Sequence, residues 1–320
     1  MPHHPPLSPV AVQLGPIAVR WYGLLIGLGA LLGFFVAARE GKRRYGLPVD
    51  VFLDLLLYGV PVAVIFARLY YVAFTWDYYR LHPEDILAVW KGGLAIHGAL
   101  LGAFLVGWWY ARRMRLDFLG LLDLAAPSLI LGQAIGRWGN FFNQEAHGGP
   151  VSRSFLESLH LPNWMIEQMY IGGTYVHPTF LYESIWDFLG FLVLLGLRRF
   201  NLPRGSIVFS YLIWYSVGRF YIEGLRTDSL MLSPTLRAAQ VVSLLLVATG
   251  VLGLVWAALR RPSVRYADPL VLPGSPLLSE GQENGDERRE ASDTRRGEAD
   301  TPPSATREEH DARDTKGDAE

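Results

Sequence analysis

The chain predicts an all-α integral membrane protein with seven transmembrane helices, on three observations. The composition is 51% hydrophobic and 13% aromatic, with only 18% charged residues over 320 positions, less charge than a water-soluble domain carries. Apolar runs of membrane-spanning length recur along the chain. Basic residues collect at alternate ends of those runs.

A helix needs about 20 mostly apolar residues to cross the hydrocarbon core. Seven segments satisfy this, over residues 17–37, 51–74, 94–111, 118–135, 178–197, 206–221 and 239–259. Arg39 and Lys42, Arg43 and Arg44 follow the first. Arg112, Arg113 and Arg115 follow the third, Arg198, Arg199 and Arg204 the fifth, and Arg260, Arg261 and Arg265 the seventh. Short loops rich in lysine and arginine stay in the cytoplasm. The N-terminus is therefore expected outside and the C-terminus inside.

This divides the chain into an extracytoplasmic segment over 1–16, a membrane body over 17–261 and a tail over 262–320. The tail carries the acid: residues 280–320 hold 14 acidic and 7 basic residues, so the remainder is net +6 within an overall charge of −1. With almost no aromatic residues, it reads as disordered. The first ten residues lack a basic n-region, so the first apolar run is not expected to be a cleavable signal. There is no cysteine, which excludes a thiol nucleophile, disulfides and thiolate metal sites in the chain itself.

Two longer outer connections are expected. Residues 75–93 are aromatic and mixed in charge, as suits the headgroup layer. Residues 139–177 are long enough to form a small extracytoplasmic cap.

Polar residues converge at one depth. The run 136–148, Gly-Arg-Trp-Gly-Asn-Phe-Phe-Asn-Gln-Glu-Ala-His-Gly, follows the fourth apolar segment and holds Arg137, Asn140, Asn143, Glu145 and Gly148. Tyr22 opens the first helix on the same side, Arg68 ends the second and His97 opens the third. His177, Tyr182 and Glu183 open the fifth. Tyr215, Arg219 and Glu223 repeat at i, i+4 and i+8 and so share a face of the sixth, with Arg226 and Asp228 beyond.

Ionisable groups within a membrane are costly and face protein or a wet cavity. Singly, each has a plain structural explanation. Arg219 and Glu223 can be a helix-internal pair, Arg68 a snorkelling side chain, and His97 a hydrogen-bonded interior histidine. Gathered at one depth, they point to a site for an anionic ligand. Asp54, Asp123 and Asp187 are expected in helix caps or structural pairs. No cluster has metal-ligand spacing, and neither a metal nor another cofactor is expected.

These residues resemble the bacterial prolipoprotein diacylglyceryl transferase family. The run 136–148 matches its signature, Gly-Arg-x-Gly-Asn-Phe-x-Asn-x-Glu-x-x-Gly. Blocks at Trp21-Tyr22-Gly23, Ala67-Arg68-Leu69-Tyr70-Tyr71-Val72, Gly92-Gly93 with His97-Gly98, His177-Pro178 with Leu181-Tyr182-Glu183, and Gly218-Arg219-Phe220 with Glu223 follow in order. Phe66 and Ala99 depart from it, standing where many relatives have glycine. The acidic tail lies outside the pattern.

A monomer without nucleic-acid partners is expected, and the resemblance implies a multi-pass enzyme of the bacterial inner membrane. Its substrates would be phosphatidylglycerol and the lipobox cysteine of a preprolipoprotein signal peptide, joined as a thioether with release of glycerol phosphate. It marks Tyr22, His97, Arg137, Asn140, Glu145, Gly148, Arg219 and Glu223 as important. Arg137 and Arg219 suit the leaving phosphate, with Asn140 and Asn143 assisting. Arg68, Tyr182, Glu183, Tyr215 and Arg226 are further candidates for substrate binding. The base for the thiol stays open among His97, Glu145 and Glu223.

The rival reading is an outer-leaflet protein that binds or transports anionic lipid, but no internal repeat of the kind transporters show is visible. Two other lipoprotein-processing enzymes fit less well. An N-acyltransferase would need a cysteine nucleophile. A signal peptidase would need paired aspartates at the outer face, and Asp54 and Asp123 are expected at inner helix ends.

Overall fold

The computed structural model describes residues 6–15, 17–228, 230–233, 236–260 and 264–278. The chain opens with a hairpin of β1 (Val10–Leu14) and β2 (Ile17–Arg20), then runs through α1 (Trp21–Tyr45), α2 (Asp50–Phe74) and the single turn α3 (Trp76–Tyr79). Next come α4 (Ile96–Arg113) and α5 (Phe118–Asn143). A small cap contains β3 (Pro150–Val151), α6 (Arg153–Ser158), α7 (Asn163–Gln168), β4 (Tyr170–Ile171) and β5 (Thr174–Val176). The chain then re-enters the bundle as α8 (Thr179–Leu197) and α9 (Ser206–Glu223). A hairpin of β6 (Met231–Ser233) and β7 (Leu236–Arg237) leads into α10 (Ala238–Leu259).

The architecture is mostly helical, and five of its helices, α1, α2, α5, α8 and α10, are long and apolar enough to cross a membrane. α4 and α9 coincide with two further expected segments, but His97, Arg112 and Arg113 lie in the first and Arg219 and Glu223 in the second. Large apolar side chains point outward, among them Leu57, Val60, Leu245 and Leu252. In water such a surface would be a broad adhesive patch, whereas in lipid it is the solvated face.

Two expected boundaries are corrected. Residues 17–20 form a strand paired to β1, so α1 begins at Trp21; it continues to Tyr45, taking the basic cluster at 39–44 into the helix. The fourth helix runs on to Asn143, eight residues past its expected end at 135. Arg137, Asn140 and Asn143 therefore project from a helix and not from a loop.

α5 is the central element, packed against α1, α8 and α9, while α2 packs chiefly on α4 and α9 on α10. The α2–α4 approach is close despite Phe66 and Ala99: a Cβ on Gly98 would lie 2.2 Å from the Phe66 carbonyl oxygen. Asp123 on α5 is completely buried and accepts from the Gly205 and Val208 amides at 2.6 and 2.8 Å, so it caps the start of α9. Asp54 accepts from the Tyr110 hydroxyl at 2.9 Å, a structural pair between α2 and α4.

Part of what the sequence assigns to the tail is ordered. The Tyr266 and Leu270 side chains are fully buried. Tyr45 donates to the Tyr266 carbonyl at 2.5 Å, the Leu272 amide to the Arg115 carbonyl at 2.8 Å, and the Arg204 amide to the Val264 carbonyl at 2.8 Å. Residues 264–272 thus tie together the basic ends of α1 and α4 and the loop before α9. Positions 279–320 lie outside the described residues.

Candidate active site

At the opposite end of the bundle, α5, α8 and α9 each bring ionisable groups to one place. Arg137 comes from the last third of α5, Glu183 from the first turns of α8, and Arg219 and Glu223 from the last turns of α9. Glu183 lies between the two guanidiniums, with Oε2 2.5 Å from Arg137 Nε and Oε1 2.6 Å from Arg219 Nη1. Arg219 Nη2 reaches Glu223 Oε2 at 2.5 Å. Both glutamates are almost fully buried. The network therefore joins three helices that are distant in sequence.

Arginine has five N–H donors in a fixed fork. Among the described residues Arg219 Nη1 donates to Glu183 Oε1, whereas the contacts of Arg137 Nε with Glu183 and of Arg219 Nη2 with Glu223 are ion pairs without hydrogen-bond geometry. The remaining donors border a small cavity of about 10 Å³ lined by Arg137, Glu183, Trp186, Asp187, Tyr215 and Arg219. That is about the free space one water needs. Asp187 lies one turn below Glu183 on α8, buried, with Oδ2 lacking a hydrogen-bond partner. It was expected in a cap or structural pair, so its place at this cavity is a correction. The signal was its i+4 spacing from Glu183. Trp186 lines the cavity and is paired with Trp214, each indole donating to the other's carbonyl at 2.9 Å.

The α5 terminus builds a second polar group. Gln144 takes a left-handed conformation (φ 53°) and ends the helix, and the Glu145 amide returns to the Asn140 carbonyl at 3.0 Å. This brings the exposed Glu145 carboxylate to Asn140 Nδ2 at 2.9 Å and Asn143 Nδ2 at 3.4 Å. The side-chain Oδ1 of Asn143 is buried without a donor.

Gly148 marks a crossing point. Its amide donates to the His177 carbonyl at 3.1 Å and it bridges Arg226, while a Cβ there would lie 2.6 Å from the His177 Cβ and 3.0 Å from the Leu225 carbonyl oxygen. Gly148 is therefore needed for backbone packing and offers no side chain to a ligand. Gly139 leaves room for the Tyr22 ring, which lies across α5 where a Cβ would meet Tyr22 Cδ2 at 2.4 Å.

The remaining candidates divide. Tyr215 lines the cavity. Tyr182 Oη lies 3.3 Å from Nδ1 of His177, whose imidazole burial lowers below its usual range. Arg226 grips Asp228 through two contacts at 2.9 and 2.6 Å, and that guanidinium holds the Asp228 carboxyl below the usual carboxylate range.

Arg68, a candidate for substrate binding, makes its hydrogen bonds away from the cluster. It is buried, and donates to the carbonyls of Asp85, Ile86, Gly92 and Gly93 at 2.5, 2.8, 2.6 and 2.9 Å. Four of its five donors thus hold the 75–93 connection. His97 is exposed at the start of α4 and stacks on Tyr70 at 5.8 Å; no hydrogen bond or ion pair among the described residues joins it to the arginines. No group of three or more histidine, aspartate or glutamate side chains among those residues is placed to hold a metal ion.

The cap rests on the end of α5. Phe141 and Phe180 pack with Leu156, Met165, Ile166, Met169 and Val176, and the buried Gln168 donates to the Phe141 carbonyl at 3.1 Å. Arg153 ties the cap's own pieces, reaching Glu157, Glu167 and the Tyr175 hydroxyl at 2.8, 2.6 and 2.8 Å.

A family model for prolipoprotein diacylglyceryl transferase matches residues 9–256. A Geobacillus kaustophilus protein is 60% identical over 264 residues, covering 82% of this chain and 97% of its own. One from Bacillus licheniformis is 62% identical over 242 residues, covering 76% and 89%. One from Bacillus velezensis is 56% identical over 264 residues, covering 82% and 97%. All three are named phosphatidylglycerol–prolipoprotein diacylglyceryl transferase.

Proposed function

The chain belongs to the prolipoprotein diacylglyceryl transferase family, and we propose that its Arg137–Glu183–Arg219 network binds the phosphate of phosphatidylglycerol while a prolipoprotein cysteine displaces it. Its activity is diacylglyceryl transfer from that lipid to a prolipoprotein. The observation that carries the site assignment is Glu183, held between two arginines from different helices beside a cavity.

The thiolate attacks the glyceryl carbon that bears the phosphate ester. A C–S bond forms, the C–O bond breaks with its electron pair on oxygen, and glycerol phosphate departs. The thiol proton goes to a base. As the C–O bond breaks, charge gathers on the leaving phosphate, and donors already fixed in place stabilise that charge without reorganising. Glu183 supplies the fixing: it turns both forks toward one point, leaving their remaining N–H groups for phosphate oxygens. Glu223 orients Arg219 from the other side. Asn140 and Asn143, held by Glu145, would add neutral donors at the mouth.

For the base we assign His97, since an imidazole can accept a proton near neutral pH and its exposed ring is open to an incoming peptide. The path of that peptide would run under the cap.

The body is read as seven membrane spans in the bacterial inner membrane, with α4 and α9 as the two shorter ones, the N-terminus outside and the protein monomeric. The arginine-rich ends of α1, α4 and α8 share one face, as positive residues retained in the cytoplasm would. The arginine–glutamate network then lies in the outer leaflet.

Transfer of labelled diacylglyceryl from phosphatidylglycerol to a lipobox peptide tests the assignment. Arg137→Ala and Arg219→Ala are each expected to lower kcat/KM at least 100-fold, about 3 kcal/mol of transition-state stabilisation for one preorganised donor group, with the fold retained. His97→Gln is expected to lose activity that a more basic medium partly restores. Near-normal transfer by a folded Arg137→Ala protein would sink the phosphate-clamp reading.

A further inference from the structure

A second, larger cavity lies away from the transferase network, at the other end of α8. Its volume is about 340 Å³ and it is lined by Glu40, Arg43 and Arg44 from the end of α1, and by Leu195, Arg198 and Arg199 from the end of α8. From Glu183 to Arg198 is 15 residues, about 22 Å along a helix axis at 1.5 Å per residue. The mechanism above uses none of these groups.

The charges do not cancel there. Glu40 is the single carboxylate in the lining and is already occupied, with Arg43 Nη2 at 2.8 Å and Arg44 Nε at 2.9 Å. Arg44 is further committed, lying 4.9 Å over the Tyr266 ring and donating to the Arg198 carbonyl at 3.4 Å. Arg198 is 5% exposed, held by one hydrogen bond from Nη2 to the Leu124 carbonyl at 2.8 Å, and its buried Nε has no hydrogen-bond partner. A buried guanidinium N–H without an acceptor is costly, and an arginine free to snorkel would extend into water instead. Arg199 is exposed beside it and Arg43 is two-thirds exposed.

We infer that this cavity is a second anion site, shaped for a phosphate group and separate from the donor-lipid site. Guanidinium forks match phosphate oxygens in pairs, and the excess of positive charge calls for an anion. The setting favours the phosphate of a membrane lipid: seven residues back on the Leu195 face, α8 carries exposed Phe188, and about two turns back from Arg43, α1 carries exposed Phe35, both suited to acyl chains. Free inorganic phosphate shares the recognition chemistry and is distinguished by experiment.

The test uses the purified full-length protein in detergent and native mass spectrometry with dioleoyl phosphatidic acid or dioleoyl phosphatidylcholine. Wild type is expected to hold at least one more phosphatidic acid per chain than the Arg43→Gln/Arg199→Gln variant, whose apparent affinity for that lipid falls about tenfold. Retained diacylglyceryl transfer and an unchanged Tm in that variant place the loss outside the donor site. Arg198→Lys, which keeps the charge and removes the fork, is expected to weaken binding as well. If 10 mM inorganic phosphate releases the extra lipid, the site is one for free phosphate; if it does not, the site is one for a lipid headgroup. Equal lipid retention by wild type and the double variant, or equal retention of the two lipids by wild type, would overturn the inference.

Discussion

Glu183 makes the most demanding contacts of any side chain in the site, because one carboxylate orients two arginines that no local sequence rule brings together. Removing one partner of a buried charge pair leaves the others uncompensated. Glu183→Gln is therefore expected to lower transfer at least 100-fold, with most of the loss in kcat, since the guanidiniums remain but lose their shared alignment; Glu183→Asp should recover part of it. A Gln variant with unaltered kinetics would show that the bridge is merely structural. Asp187 gives the opposite sign. It adds a carboxylate beside Arg137 with one oxygen unpartnered, so Asp187→Asn is expected to lower KM for phosphatidylglycerol, and steady-state kinetics with varied lipid would read this. At this scale Arg137, Arg219 and Glu223 were legible from residue type and spacing. Asp187 was not, because its value lies in which cavity it faces, and helical periodicity relates it only to Glu183.

At the scale of elements, the crossing of the Gly148 backbone with the residues just before α8 and just after α9 is a tight junction near the site. Gly148→Ala would force its Cβ against His177 and the Leu225 carbonyl, a backbone contact that cannot yield cheaply. Its expected effect is a fall of several degrees in Tm, with transfer impaired even in the surviving folded fraction. The Arg226–Asp228 pair beside it predicts a pH dependence. Asp228 is held below its ordinary range by Arg226, so its stabilising contribution is present at pH values above the unfolded carboxylate's titration and is lost as pH falls through the depressed native value. Melting curves of wild type and Asp228→Asn should accordingly converge toward acid and separate toward neutral pH. An equal gap at both would remove the pair from the account. The helices themselves were legible as apolar runs, yet the signature's helical half was not. Gly136, Gly139 and Asn140 are poor helix formers, and the packing of α5 between α1 and α8 overrides their preference.

For the whole molecule, two outcomes follow from the shared basic face. Tyr266 is fully buried beside Tyr45, and truncating a buried aromatic costs about 3–5 kcal/mol. Tyr266→Ala should thus lower Tm while leaving the site residues themselves untouched, which would show that residues 264–272 belong to the folded body. The chain has no cysteine, so single cysteines report topology cleanly. In intact cells a membrane-impermeant maleimide should label Ser158→Cys in the cap and fail to label Phe200→Cys beyond α8 until the membrane is permeabilised. Labelling of Phe200→Cys without permeabilisation would reverse the proposed orientation.

The sequence by itself determined that this is a helical membrane protein, where its apolar helices run and which family it belongs to. Those properties are carried by local runs of side chains and by the signature at 136–148, which need no knowledge of contacts between distant segments. Only the tertiary structure decided how the polar residues divide. It placed Arg137 and Arg219 on Glu183, gave Arg68 to loop carbonyls, left His97 exposed on Tyr70, and packed residues 264–272 onto the basic face. The physical reason is the range of the interactions. A helix is written in residues three and four apart, whereas an arginine's partner is set by whichever carboxylate or carbonyl the packed helices bring within about 3 Å, and that depends on every other contact in the fold.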